Sequence, residues 1–347
     1  MSQTAIEAAE ARPSLAVGAL LERGTGFLLL LAVAAFAVWH LVATPAAFFT
    51  TMVVGINQGA LYAIIALGYT LVYGIIELIN FSHGDLFMLA SVLSGFLMVS
   101  AFGATAATTG AFLALVATLV LAMLFGAALN TTAERVAYRR LRRAPKLAPL
   151  ITAVGLSFVY QWGGIKSNGS GQRNWDTILG SSGFTVLNVK VPWSMIVVTA
   201  VTIPLLLGLN WVIQKTRQGK AMRATAQDQD AARLMGIDVD RTISLTFALG
   251  GAMAGAAGLL YLQTFGTTRY DAGFQLGLIA FTAAVLGGIG NLNGAVLGGV
   301  LIGLVQALND RFGLGVAYSQ TVVFTILILL MVFKPEGILG KPTTEKV

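Results

Sequence analysis

From Phe48 to Gly74, and again from Leu86 to Phe102, the sequence carries no charged side chain. Each stretch is close to or beyond the roughly 20 residues that an α-helix needs to cross a bilayer. Similar runs recur down the chain, and the charges collect between them. Asp, Glu, Lys and Arg make up 11% of the 347 residues, where a soluble domain carries about a quarter. The 40 glycines follow no collagen period, and they suit closely packed membrane helices. The expected fold is an all-α polytopic membrane protein.

Hydropathy predicts about ten transmembrane segments: 26–43, 52–76, 84–102, 110–130, 149–165, 193–213, 244–262, 277–290, 292–308 and 318–334. The 277–290 piece is short for a crossing and reads as a half-helix or part of a re-entrant hairpin. The net charge of +7 could suggest nucleic acid. The basic residues, however, sit between apolar runs and lack the aromatic interleaving of a nucleic-acid surface. Topology explains them better. "ERVAYRRLRRAPK" (134–146) and the six Lys or Arg of 215–241 mark two cytoplasmic loops. Ten crossings then place both termini inside, with Lys334, Lys341 and Lys346 in agreement. The expected organisation is a cytoplasmic head (1–25), a transmembrane region (26–334) and a cytoplasmic tail (335–347). Within the transmembrane region fall a periplasmic loop (166–192) and a cytoplasmic loop (214–243). The first span starts late and has no cleavage signature, so it reads as a retained anchor. Segments two to five and seven to ten would run in opposite senses, an inverted repeat of the kind that puts a pathway at the repeat interface.

The chain has no cysteine, which removes disulfides, thiolate chemistry and cysteine-ligated metals. "ELINFSHGD" (77–85) concentrates Glu77, Asn80, Ser82, His83 and Asp85 between two apolar spans. A metal site needs three or four converging ligands, and one His beside one Asp falls short. A serine protease centre fails because neighbouring side chains such as Ser82 and His83 diverge on a helix. A proton relay through Glu77, His83 or Asp85 has the merit that intramembrane ionisable groups are functional by default. The preferred reading is a capped break between helices at the membrane surface, with Asn80, Ser82, Gly84 and Asp85 as turn and cap formers. Asn57 and Gln58 lie inside an apolar span and must face protein, as interhelical hydrogen-bond formers or as pathway lining. Gly55-x-x-x-Gly59, Gly251-x-x-x-Gly255, Gly294-x-x-x-Gly298 and Gly299-x-x-x-Gly303 would let helix backbones approach closely. "GGIGNLNG" (287–294) breaks a helix and places Asn291 and Asn293 at the break.

"DQDAARLMGI" (228–237) reads as a short amphipathic helix on the cytoplasmic side. Asp228 and Asp230 lie in its first turn, Ala231, Leu234 and Met235 line one side, and Gly236 stops it. Such a helix could dock in a groove of another protein or rest on lipid headgroups. "NQGALYAIIALGYTLVYGIIELINFSHGDLFMLAS", "GKAMRATAQDQDAARLMGID" and "FTAAVLGGIGNLNGAVLGGVLIG" together resemble the LivH-type permeases of bacterial branched-chain amino acid ABC importers. The resemblance runs from about Val54 to Gly340. It implies a multi-pass inner-membrane subunit that pairs with a second, homologous permease. It also implies two cytoplasmic ATPase subunits and a periplasmic solute-binding protein, with ATP-Mg held on the ATPases and no cofactor in this chain. Related permeases serve urea, short amides and other solutes. By this resemblance 228–237 corresponds to the coupling helix, with Arg223, Asp228, Asp230, Arg233, Leu234 and Gly236 as the ATPase-coupling residues. Asn57, Gln58, Asn80, Ser82, His83, Asn291 and Asn293 are the candidate pathway or helix-break residues. The sequence contains no G-x-x-x-x-G-K-[ST] loop, so it is not expected to be an ATPase or other enzyme. A proton-coupled secondary transporter is the alternative from another class.

Overall fold

A computed structural model describes residues 35–77, 80–104, 108–142, 144–145, 147–178, 182–186 and 188–340. The expected head (1–25), most of the first span, Arg143, Lys146 and residues 341–347 lie outside them. The chain divides into a small unit, residues 1–50 with 187–189, and a large one, residues 51–186 with 190–347. In the small unit residues 35–43 are helical. There the His40 ring packs edge-on against Phe36 at 4.6 Å.

The helices are α1 (Pro45–Ile76), α2 (His83–Gly95), α3 (Thr109–Ala133), α4 (Leu147–Asn168) and α5 (Trp193–Lys215). Then come α6 (Arg217–Gln227), α7 (Gln229–Leu234), α8 (Val239–Phe265), α9 (Ala272–Gly287), α10 (Leu292–Phe312) and α11 (Ser319–Phe333). α2 continues as a π-helical turn through Phe96–Ala101. Among the described residues seven helices are long and apolar enough to cross a membrane: Pro45–Ile76, His83–Ala101, Thr109–Leu141, Trp193–Lys215, Val239–Phe265, Leu292–Phe312 and Val316–Phe333. They correspond to seven of the ten expected segments. Of the other three, 26–43 lies mostly outside the described residues, and 277–290 falls on the 16-residue α9. The third, 149–165, falls on the 22-residue α4, whose Ser157, Tyr160, Gln161 and Lys166 dilute its apolar character.

Crossings with almost no side chain between the backbones hold the large unit together. On α3 and α8, a Cβ on Gly126 would stand 2.1 Å from the Gly251 carbonyl oxygen, and one on Gly255 2.1 Å from that of Ala122. On α1 and α10, a Cβ on Gly59 would stand 2.7 Å from Val300 Cα, and one on Gly303 2.3 Å from the Gly59 nitrogen. Both pairs are antiparallel. Three further contacts on each side correspond: α2 lies on α8, α3 and α4, while α9 lies on α1, α10 and α11. Exchanging α1–α4 with α8–α11 maps these named crossings onto one another.

The 166–192 loop is more structured than its Gly/Ser-rich composition suggests. Strand β1 (Arg173–Asn174) pairs antiparallel with β2 (Thr267–Thr268). Thr268 Oγ1 accepts from Asn168 Nδ2 at 3.0 Å and from Trp175 Nε1 at 2.9 Å. The Arg173 guanidinium stacks over the Trp175 ring at 4.1 Å, a cation–π contact. Next to β2, the Arg269 guanidinium holds the Asp271 carboxyl below its ordinary range.

The crossings make glycine replacements unequal. Gly126→Val should yield no monodisperse protein by size exclusion, because a backbone carbonyl cannot give way. Gly208, with nothing within 4 Å of an added Cβ, should accept Ala and raise thermal stability by up to about 1 kcal/mol through helix propensity.

Candidate functional site

The polar stretch after α1 is buried among the helices. Asn80, Ser82, His83 and Asp85 are 4%, 1%, 1% and 0% exposed. The capped-break reading did not anticipate this burial, and the cause is the path of the chain. After Ile76 the exposed Glu77 takes a left-handed backbone conformation, φ 51°. The chain then turns back, and the N-terminal end of α2 is pushed inward. A Cβ on Gly68 would fall 2.2 Å from His83 Nε2, so α1 presents a bare backbone to the ring. Gly84 meets Gly273 and Gly277 of α9 in the same way. Ser82 occupies the cap position of α2 but makes no side-chain capping bond.

Ser82 Oγ donates instead to Asn80 Oδ1 at 2.6 Å, and Tyr138 OH donates to the same oxygen at 2.7 Å. Asp85 Oδ2 accepts from Ser157 Oγ of α4, and Ser157 in turn accepts from Gln161 Nε2 at 3.2 Å. The His83 ring lies edge-on to Tyr69 at 4.8 Å. Among the described residues neither His83 nitrogen has a hydrogen-bond partner, nor do Asp85 Oδ1 and Asn80 Nδ2. Ser82 therefore does not engage His83 as a nucleophile engages a base. Tyr138, Ser157 and Gln161 complete this interior and were not singled out from the sequence. Ser157 and Gln161 are polar residues in an apolar helix and Tyr138 lies in the basic segment after α3, but nothing in the order of residues says which elements meet.

The other pathway candidates lie on separate elements. Asn57 is 2% exposed and faces protein, as expected. The side-chain oxygens of Asn57 and Gln58 find no partner among the described residues, so no interhelical bond forms at those acceptors. Asn291 caps α10, accepting from Gly294 N at 3.2 Å, and donates to the Leu339 carbonyl at 2.7 Å. The break before it is real, with Gly288 and Gly290 at φ 101° and 90°. Asn293 is exposed and lines a cavity of about 400 Å³ with Leu67, Leu206, Asn210, Val296 and Val300.

At the end of α5 the chain forms two helices where one, 228–237, was expected. α6 precedes the shorter α7, and Asp228 ends one and caps the other, accepting from Asp230 N at 2.9 Å and Ala231 N at 3.0 Å. Ala232 points inward at 3% exposure, while Leu234 and Met235 stand 89% and 81% exposed. Asp230 accepts from Arg233 at 2.9 Å, and Gly236 takes φ 80° to end the turn. Arg223 donates to the Ile213 carbonyl, so it ties α6 to the end of α5.

Comparison with known proteins bears on this arrangement. The family described as branched-chain amino acid transport system, permease component, matches residues 51–332. The chain belongs to that family. The high-affinity branched-chain amino acid transport system permease protein LivH of Escherichia coli (strain K12) is 40% identical over 308 residues, 86% of this chain and 98% of the relative. The corresponding protein BraD of Pseudomonas aeruginosa is 39% identical over 303 residues, 85% and 97% of the two chains. The probable branched-chain amino acid permease LivH of Methanocaldococcus jannaschii is 34% identical over 154 residues, 42% and 48% of the two chains. The permease is thus a multi-pass inner-membrane transport component. These relatives match the branched-chain reading rather than the proton-coupled transporter.

The buried Asp85–Ser157 contact yields a measurable coupling. Ser157→Ala strands a buried carboxylate oxygen and should lower stability by about 1–3 kcal/mol. Adding Asp85→Asn should recover part of that loss, so that the thermal unfolding of the four variants is non-additive. Additive losses would mean that the two side chains do not interact.

Proposed function

We propose that the permease is one membrane subunit of an importer that moves branched-chain amino acids inward, powered by ATP hydrolysis on separate subunits. The observation that carries this reading is similarity along almost the whole length of relatives named for that transport. The complex would contain a second permease, two cytoplasmic ATPases that hold ATP-Mg, and a periplasmic solute-binding protein. The basic segments 134–146 and 215–241 mark the cytoplasmic face in this reading. Supporting it, the C-terminal end of α7 offers two large apolar side chains, Leu234 and the Met235 that follows it, that the large unit leaves uncovered. Apolar side chains on a short helix of this kind fit a groove on a partner protein.

Closure of the ATPases would displace α6 and α7 and bias the spans between inward- and outward-facing arrangements. Such coupling requires that nucleotide and loaded binding protein make different contacts with the two states. The matched crossings of α1–α4 and α8–α11 support an inverted repeat, with the pathway near its interface. The buried polar residues Asn80, His83 and Asp85 lie at the crossing of α1, α2, α8 and α9. They are proposed to set the spacing of these helices rather than to react.

Two measurements test the proposal. Vesicles with the assembled complex should take up labelled leucine only with internal ATP and loaded binding protein, and uptake by this chain alone would overturn the reading. Leu234→Asp with Met235→Asp should cut ATPase co-purification and uptake by about tenfold or more, while stability shifts by no more than ~0.5 kcal/mol, as for other surface changes. Full ATPase retention by that variant would remove α7 as the contact.

A further inference from the structure

The buried carboxylate at the basic end of α3 has no role in the pathway described above. Glu134 follows α3 directly and is 0% exposed. It accepts from Arg139 Nε at 3.2 Å and Nη2 at 3.1 Å, and from Arg142. It also accepts from Ser244 Oγ at 2.7 Å. Arg142 reaches on to Asp240 at 2.5 Å, and Arg139 Nη2 donates to Ser244 Oγ at 2.7 Å. Asp240 and Ser244 are in the first two turns of α8. One turn deeper, Asn130 Nδ2 donates to the Phe247 carbonyl at 2.7 Å, and the Gly126–Gly251 crossing follows. A single buried charge thus organises a bond network between α3 and α8.

α8 is also joined to α7 with little slack. Only Met235–Asp238 separate the two helices. Ile237 N donates to the Ala232 carbonyl at 3.0 Å, Asp238 caps α8 by accepting from Arg241 N at 3.0 Å, and Thr242 Oγ1 donates to the Asp238 carbonyl at 2.8 Å. A displacement of α7 has no long loop in which to be absorbed. At the matching crossing of α1 with α10 the ion pairs among the described residues contribute nothing. Tyr62 OH donates there to Gln306 at 2.7 Å. The ionic network belongs to the one crossing of the two that adjoins α6 and α7.

We propose that Glu134, Arg142 and Ser244 form a clamp that makes α3 and α8 move as one body when α7 is displaced. The three are positioning residues and touch no solute. The inference rests on the reading of α7 as the ATPase contact. Discrete packed elements joined by bond networks are the physical carriers of such coupling.

The absence of cysteine from the chain makes the test direct. The full complex, with partner permease, ATPases and binding protein, is reconstituted in vesicles, and ATP hydrolysis and leucine uptake are measured together. Glu134→Gln keeps the side-chain volume and removes the charge. It should leave the complex assembled and hydrolysing ATP within about twofold of the parent, while leucine moved per ATP falls about tenfold. Ser244→Ala, which leaves both arginines on the carboxylate, should cost about threefold in the same ratio. Glu134→Cys with Ser244→Cys should be poorly coupled until the thiols are bridged by a short cross-linker, and should then regain at least about half the parent ratio. Parent-like coupling in Glu134→Gln overturns the clamp, as does coupling that stays low after bridging. Loss of assembly in all three variants also overturns it, because the network would then serve folding alone. The ATPase-contact reading fails separately, if Leu234→Asp with Met235→Asp retains the ATPases whatever Glu134→Gln does.

Discussion

Contact between helix backbones through glycine is the constraint on which the rest of the structure depends. In hydrocarbon, burying an apolar side chain against another helix gains little over leaving it against lipid tails. Association comes from close packing and interhelical hydrogen bonds. Gly126 against Gly251 and Gly59 against Val300 bring helices near enough for this packing to act. The same closeness fixes register, because a slip of one residue would put a Cβ into a carbonyl. The long helices become beams whose relative positions are set at a few points.

Those points also decide where polar groups can go. The N-terminal end of α2 enters the interior because Gly68, Gly273 and Gly277 leave space for His83 and Gly84. Once there, Asp85 must find donors among its neighbours, and Ser157 supplies one. Glu134 faces the same requirement at the basic end and meets it with two arginines and a serine. Buried carboxylates are costly unless they are hydrogen-bonded. Both sites are therefore places where the fold is sensitive to single substitutions, one near the candidate pathway and one beside α6 and α7.

Much of the architecture was legible in advance. Apolar length gave seven spans that the described residues bear out, of ten expected, and the order of three motifs gave the family. Asp228, Gly236 and the break at 287–294 behave locally as their residue types require. Helical spacing put Leu234 and Met235 on one side, and the structure leaves both exposed. What the turn-forming composition of "ELINFSHGD" did not show is that its polar side chains are covered by other helices. Turn chemistry reports that the chain reverses, and it is silent about which helices then pack over the turn. The strand pairing of Arg173–Asn174 with Thr267–Thr268 was equally hidden, since it joins residues about a hundred positions apart.

The sequence alone determined that this protein lives in a membrane, roughly how its spans are laid out, and that it belongs with the permeases of branched-chain transport. These follow from hydrophobic length and local motif, which are properties of neighbouring residues. Only the tertiary structure decided that Asn80, Ser82, His83 and Asp85 lie in the interior, that Ser157 and Tyr138 are their partners, and that Glu134 binds α3 to α8. Each of these depends on which helices cross and at which residue. In a bilayer that choice is made by the fit of small residues at distant positions, a fit that exists only once the helices have packed.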